Sequence, residues 1–260
     1  MAVYTAWMGD FVLEDGWAAR ADRYLWHSQT RTAVLSDLHL GIEESLRRQG
    51  IAFPAVNAAE VRRAWDSLRQ RVGSEGRVVI AGDLFDSSTP DGESIAVARE
   101  LVEQLPGGVN ITLLRGNHDP EMADLRRIFA GTRASVEAMT VVADYAVIHG
   151  HQWQDAQRLE QRRGVIVGHQ HPAVVLRDRV QSAKMICFAV ATVRMNGREV
   201  RVMVLPTFSR APLGTNLMTE GRWIIDCQPP SPERVRIAGI VEGKQGSDGR
   251  VLDFGWLADL

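Results

Sequence analysis

"RVVIAGDLFD", residues 77–86, sets the pattern by which the chain is read. A short apolar run, Val78 to Ala81, stops abruptly at glycine and two aspartates. Four other stretches have the same form: "TAVLSDLHLG" (32–41), "NITLLRGNHD" (110–119), "YAVIHGH" (145–151) and "GVIVGHQHP" (164–172). Each run is of strand length, rich in Val, Ile and Leu, and continuous rather than alternating. Such runs suit strands buried on both faces. Helical periodicity lies between them. In 57–73, Val61, Trp65, Leu68 and Val72 recur at steps of three and four, and Gly73 closes the pattern. Residues 94–105 repeat the form, and 120–129 opens on proline at a first helical position. Strand–helix alternation over 32–130 predicts βαβ units and a layered α/β domain.

After residue 172 the pattern turns to strands: "AVVLRD" (173–178), "AKMICFAVATVRM" (183–195), "REVRVMVLPTF" (198–208) and "ERVRIAGIVEG" (233–243), with "MNGRE" (195–199) as a turn. Short strands, among them "RYLW" (23–26), precede residue 32. No repeat, low-complexity linker or composition break divides the chain, so residues 1–260 read as a single domain. "LDFG" (252–255) resembles a kinase magnesium motif, but no glycine-rich loop or "HRD" precedes it; it reads as a strand end and turn.

Composition excludes several classes. The formal net charge is -2, so no global field points to nucleic acid or membrane. Cys187 and Cys227 form no CxxC pair, which argues against a disulfide framework or a zinc ribbon. The N-terminal segment carries Asp10, Glu14 and Asp15 where a signal peptide needs an apolar run, and no stretch approaches a membrane span. A cytoplasmic protein with no membrane partner is expected.

The chain has seven histidines. His27 stands alone and reads as a solvated loop residue. His39, His118, His149, His151, His169 and His171 all follow the apolar runs, together with Asp37, Asp83, Asp86, Asn117 and Asp119. A single histidine or aspartate there is ordinary loop chemistry; six of seven histidines landing there is not. In open α/β sheets, strand carboxyl ends are where ligands bind. Carboxylate, imidazole and amide groups without thiolate suit manganese, iron or zinc in a non-structural site. There are enough groups for two ions, with Asp83 able to bridge them, and two divalent ions form a site attractive to phosphate.

The ordered motifs D-x-H, G-D-x-x-D, G-N-H-D, "HGH" and "GHQH" across 37–171 resemble those of the calcineurin-like metallophosphoesterases. "SDLHLGIEESLRRQGIAFP" (36–54) is similar to a small prokaryotic branch related to double-strand-break repair nucleases. The resemblance implies an α+β fold: an α/β/β/α sandwich of two mixed sheets flanked by helices. It implies a dinuclear site, with manganese first and iron or zinc also suited. Asp37, His39 and His171 would hold one ion, Asn117, His149 and His169 the other, and Asp83 both. A bridging hydroxide would attack phosphorus, His118 would protonate the leaving oxygen, and Asp86 would fix the His118 tautomer. His151 receives no role, and Asp119 reads as the N-cap of the helix that follows.

Arg47 and Arg48 are candidate substrate-phosphate contacts, set against a solvated helix face. Arg126, Arg127, Arg162 and Arg163 read as exposed helix charges. The expected reaction is hydrolysis of a phosphodiester, of single-stranded DNA or a nucleotide. A phosphomonoesterase is the alternative, weakened because "GDLFDSS" lacks the arginine and glycine that follow this motif in the phosphatase branch. A non-catalytic scaffold ranks last, since no ligand is missing.

Overall fold

The computed structural model describes residues 11–52, 57–152, 162–177, 181–195, 197–210, 214–219, 223, 230–243 and 249–260. The expectations for residues 1–10 and for Cys227 lie outside these. The continuous apolar runs become strands flanked by protein on both sides. The first sheet runs β1 (Phe11–Val12), β2 (Trp17–Ala19), β3 (Leu25–His27), β4 (Thr32–Leu35), β5 (Arg77–Ala81), β6 (Asn110–Leu114), β7 (Ala134–Glu137), in that spatial order. Its first four strands pair antiparallel and β4 to β7 pair parallel. The parallel part carries α1 (Ile42–Arg48), α2 (Asn57–Val72), α3 (Gly92–Gln104) and α4 (Met122–Ile128) in its crossovers.

The second sheet is mixed. It contains β8 (Thr140–Val142), β9 (Tyr145–Ile148), β10 (Gly164–Val167), β11 (Pro172–Arg177), β12 (Ser182–Met195), β13 (Arg198–Val204) and β14 (Thr215–Asn216), ordered β14-β11-β12-β13-β10-β9-β8. β15 (Val235–Val241) adds to β12, and β16 (Arg250–Trp256) to β15. In the middle of this sheet β9, β10 and β13 run parallel.

Side-chain alternation sorts the core into layers. Ala33, Leu35, Val78, Ile80, Ile111 and Leu113 face the helices. Val34, Val79, Ala81 and Leu114 face the second sheet, where Tyr145, Val147, Ile166 and Met203 meet them. Ala146, Ile148, Val165 and Val167 form a third layer on the far side. Among the described residues the α-helices lie on the first sheet, while strand ends and short 3-10 turns pack on the outer face of the second. The amphipathic stripe of α2 is buried as its periodicity predicts. Val61, Leu68 and Val72 each stabilise by ~1.5–3 kcal/mol relative to exposure, and Trp65 donates its indole N–H to Leu101 O at 3.0 Å. Gly73, at φ 68°, ends the helix.

Three expectations are corrected. α4 begins at Met122, with Glu121 preceding it, so Pro120 is not the first helical residue. His27 is buried in β3, its ring nitrogens 2.9 Å from Thr30 Oγ1 and 3.2 Å from Asp15 O, against the Trp17 ring. "LDFG" lies inside β16 rather than at its end: pairing with β15 skips Phe254, a bulge closed by Gly255 at φ 75°. Arg126 and Arg127 are exposed on α4; Arg162 and Arg163 are exposed just before β10, where Arg163 pairs with Asp15 at 2.7 Å.

Candidate metal centre

Five strands, three from the first sheet and two from the second, end at one place. β4 delivers Asp37 and His39, β5 Asp83 and Asp86, β6 Asn117 and His118, β9 His149 and His151, and β10 His169 and His171. The side chains sort into two neighbouring groups, flanked by a third of His39, Asp86 and His118 that shares His39 with the first. In one, Asp37, His39 and His171 converge: His171 Nε2 lies 3.2 Å from Asp37 Oδ1 and 3.3 Å from His39 Nε2. In the other, Asp83, His149 and His169 converge, and Asn117 joins them. His149 Nε2 lies 3.2 Å from Asp83 Oδ2 and 3.0 Å from Asn117 Oδ1. The two groups adjoin, with His149 Nδ1 4.0 Å from Asp37 Oδ1. Asp37, His39, Asp83 and His149 form a buried floor; His169 and His171 are half-buried; Asn117 and His118 are exposed at the mouth.

The backbone at this floor is unusual. Asp37 (φ 59°), His39 (47°), Asp83 (49°), His169 (63°) and His171 (46°) all lie in the left-handed region. Asp and His enter it more readily than most residues, yet each such position stores on the order of 1–3 kcal/mol. The loops also pack backbone against backbone. A Cβ on Gly168 would stand 2.6 Å from Ser36 Cβ and 2.7 Å from Asp37 Oδ2. A Cβ on Gly116 would enter the Asp83 carboxylate and amide. These close approaches explain why glycine adjoins the polar residues in both motifs.

His149 Nδ1 donates to Ala81 O at 2.9 Å, so Nε2 of a neutral ring is a lone pair. That lone pair faces an amide oxygen and a carboxylate oxygen. Three acceptors around one point need a cation between them. In the metal-free chain a proton serves: burial alone would lower the His149 pKa, but Asp83 and Asp37 outweigh it and raise it to about 9. His169 moves oppositely, down to about 4, through burial and the charge of His149, which leaves its ring neutral and able to ligate. Burial would raise Asp37 and Asp83. The imidazoles outweigh it and hold both carboxyls below their usual range. The donor set therefore fits divalent metal ions.

The calcineurin-like phosphoesterase family model matches residues 30–184, more than half of the chain. The chain belongs to the calcineurin-like phosphoesterase family. Membership makes it a metal-dependent hydrolase of phosphate esters. Comparison with curated protein sequences gives no match. Among solved structures, the nuclease MPE of Pseudomonas putida is similar at 20% identity and TM-score 0.57, over 91% of this chain and 96% of that one. A protein of unknown function from Aquifex aeolicus shares 17% identity at TM-score 0.37, over 57% of this chain and 81% of that one. The first likeness supports the fold described above.

In this phosphoesterase two expected roles change. The Asp86 carboxylate lies beside both His39 and His118, but it accepts from His39 Nδ1 at 3.1 Å, while His118 Nδ1 meets the Asp86 backbone carbonyl at 3.2 Å. Asp86 follows Asp83 by three residues in a loop that curls back toward β4, which turns its side chain to the His39 edge. Asp119 does not cap α4. It is fully buried and accepts from Phe85 N at 2.9 Å and Gly116 N at 2.8 Å, clipping the second and third motif loops together. Burial and nearby Asp83 raise its pKa to about 6. His118 is also tied down, its amide donating to Asp83 Oδ1 at 2.9 Å.

His151 belongs to neither group. Its ring lies 5.3 Å from that of His149 and 6.2 Å from that of His169. Arg47 and Arg48 are exposed on α1 and line a cleft of about 440 Å³ with Leu40, Gly41, Asp91 and Ser94. Both already pair with Glu44, which reduces the charge they offer a phosphate. Among the described residues no helix is long and apolar enough to cross a membrane.

Proposed function

We propose that this phosphoesterase is a dinuclear phosphodiesterase acting on nucleic acid, as single strands or nucleotides. The observation that carries the dinuclear part is the pair of adjoining acceptor clusters. One has a histidine lone pair, an amide oxygen and a carboxylate directed at one point. Asp37, His39 and His171 would hold one divalent ion, and Asn117, His149 and His169 the other. Asp83, grouped with His149 and His169, would touch both. Manganese suits this oxygen–nitrogen set first, and iron or zinc suits it too. When bound, the ions acidify a water and offset charge on the phosphoryl oxygens.

The chain's own residues supply the rest. Ala81 O fixes the His149 tautomer through Nδ1, and Asp86 does the same for His39, leaving both Nε2 atoms for ligation. With Nδ1 of His118 directed at Asp86 O, Nε2 is the atom that carries a proton to the departing oxygen. His118 suits that task because it is exposed at the mouth, beside His39 and outside both ligand groups. The diester preference rests on the motif-level likeness to the repair-nuclease branch and on the nuclease neighbour, which aligns over 96% of its own chain. A net charge of -2 favours a short or single-stranded substrate over a long duplex track.

The deciding experiment offers three substrates with manganese: a generic phosphodiester, a generic phosphomonoester and short single-stranded DNA. Diester and DNA cleavage, abolished by chelation, is the expected result. Monoester turnover alone would replace the diesterase reading with a phosphatase. No turnover of any substrate, with no metal retained, would leave a binding scaffold.

A further inference from the structure

We propose that Asn57 is a positioning residue for the first metal, acting through a clamp on the carbonyls of the loop that bears Asp37 and His39. The proposal rests on the two-metal reading above. Asn57 opens α2 and is 1% exposed. Its amide nitrogen donates to Leu38 O at 3.3 Å and His39 O at 3.2 Å, and its amide oxygen accepts from Ser209 Oγ. Its backbone N–H donates to Glu43 Oε1 at 2.6 Å.

The next two carbonyls are captured by the same unit. Phe208 N donates to Ser36 O at 2.9 Å and Ser209 N to Asp37 O at 3.3 Å. So the four consecutive carbonyls from Ser36 to His39 all face residues 57, 208 and 209. On its other edge the loop donates Asp37 N, His39 N and Leu40 N to Gly82 O, Asp83 O and Leu84 O at 3.0–3.1 Å. Residues 207–209 are themselves anchored: buried Arg23 donates to Ser209 O at 2.6 Å and is held by Glu242 at 2.5 Å, and Thr207 Oγ1 donates to Ser209 O at 2.8 Å.

This clamp opposes the backbone strain. Asp37 and His39 are both left-handed, and a loop with two such residues relaxes unless it is over-determined. With all four carbonyls and the amides of Asp37, His39 and Leu40 committed, one conformation is left, the one that aims Asp37 and His39 at His171. A buried amide bonded through both its nitrogen and its oxygen is a group whose loss is felt, because its partners are then buried unpaired. The bonds of Asn57 reach Leu38, His39, Glu43 and Ser209, so its loss acts first on the loop that bears Asp37 and His39 and falls more heavily on the first metal than on the second. Ser209 and its anchor lie outside residues 30–184, where the family model matches.

The test uses the full-length protein stripped of metal, titrated with manganese by calorimetry, with bound metal counted by elemental analysis and the manganese pair followed by electron paramagnetic resonance. Wild type takes two ions per chain. Asn57→Ala should keep one tight ion and bind the other ~10–100-fold more weakly, the range for loss of a group that orients a metal ligand. Its stoichiometry and spectrum should match His171→Ala rather than His169→Ala. Ser209→Ala should move the same way by less. Two ions bound with wild-type affinity by Asn57→Ala, with only the melting temperature lowered, would overturn the proposal and leave a purely structural residue. If Asn57→Ala does not fold, Ser209→Ala decides by the same criterion. Fewer than two ions in the wild type would instead sink the two-metal reading.

Discussion

Removing the Asp86 carboxylate separates two roles that sequence and structure assign it differently. Its side chain is 14% exposed and accepts from His39 Nδ1 at 3.1 Å. Burial alone would lower the His39 pKa, yet the Asp86 hydrogen bond, with Asp37 and Asp83, raises it. A hydrogen bond to a charged group contributes ~1.5–3 kcal/mol, which at ~1.4 kcal/mol per decade is about 10–100-fold in affinity. Asp86→Ala should therefore shift the manganese midpoint for diester hydrolysis upward by about 10–100-fold, with the rate largely recovered at saturating metal. Asp86→Asn, which keeps an acceptor and loses the charge, should fall between. The assay is initial rate against free manganese, using diesters whose leaving groups span a range of basicity. An unchanged metal midpoint, with a loss that grows with leaving-group basicity, would show Asp86 serving His118 and refute the geometric reasoning.

His118→Ala should lose ~10²–10⁴-fold with poorly activated esters and little with nitrophenyl esters, whose leaving group needs no proton; equal losses on both would remove His118 as the acid. Gly168→Ala forces the Asp37 loop aside, and overpacking of this kind costs ~1–3 kcal/mol. Thermal denaturation should show the drop together with weakened metal binding, and an unchanged melting temperature would show that the loops adapt. Asp119 has a folded pKa raised to about 6, so its contribution to stability is complete below its unfolded pKa of ~3.9 and is lost as pH rises through 6. In metal-free protein, the stability of wild type relative to Asp119→Asn should fall by ~3 kcal/mol between pH ~3 and ~8; denaturant titrations with parallel pH profiles would count against it. Replacing Arg47 and Arg48 by alanine should flatten the salt dependence of single-stranded DNA binding by ~0.7 in log–log slope per arginine that meets a phosphate, and an unchanged slope would return both to the solvated face held by Glu44.

The parallel strands were legible because burial on both faces leaves runs such as Val78–Ala81 with no polar partner residue to confuse the period. The histidines and aspartates were legible because each sits one to five residues past such a run. What could not be read locally is who faces whom. Asp86 lies close to His118 in motif order but its side chain meets His39, a matter of loop curvature. Asp119 has the sequence context of a cap, yet full burial turned it into a clip between two loops. His27 sits outside every motif, and only the packing of Trp17 shows it to be core. Asn57 and Ser209 are separated by 152 residues, and neither carries a metal-binding signature. The left-handed conformations at Asp37, His39, Asp83, His169 and His171 have no fingerprint in residue type beyond the tolerance of Asp and His for that region.

The position of Ser209 late in the chain has a consequence for synthesis. Every motif has left the ribosome once residue 171 emerges, but the carbonyls of Ser36 and Asp37 find no partner until residues 208 and 209 follow. At ~5–20 residues per second this interval lasts seconds. A nascent chain in that interval carries all its metal-binding side chains on a loop still free to relax. On the two-metal reading, loading of an ion by Asp37 and His39 would wait for residues 208 and 209 to emerge, whereas the cluster of Asp83, Asn117, His149 and His169 is complete earlier.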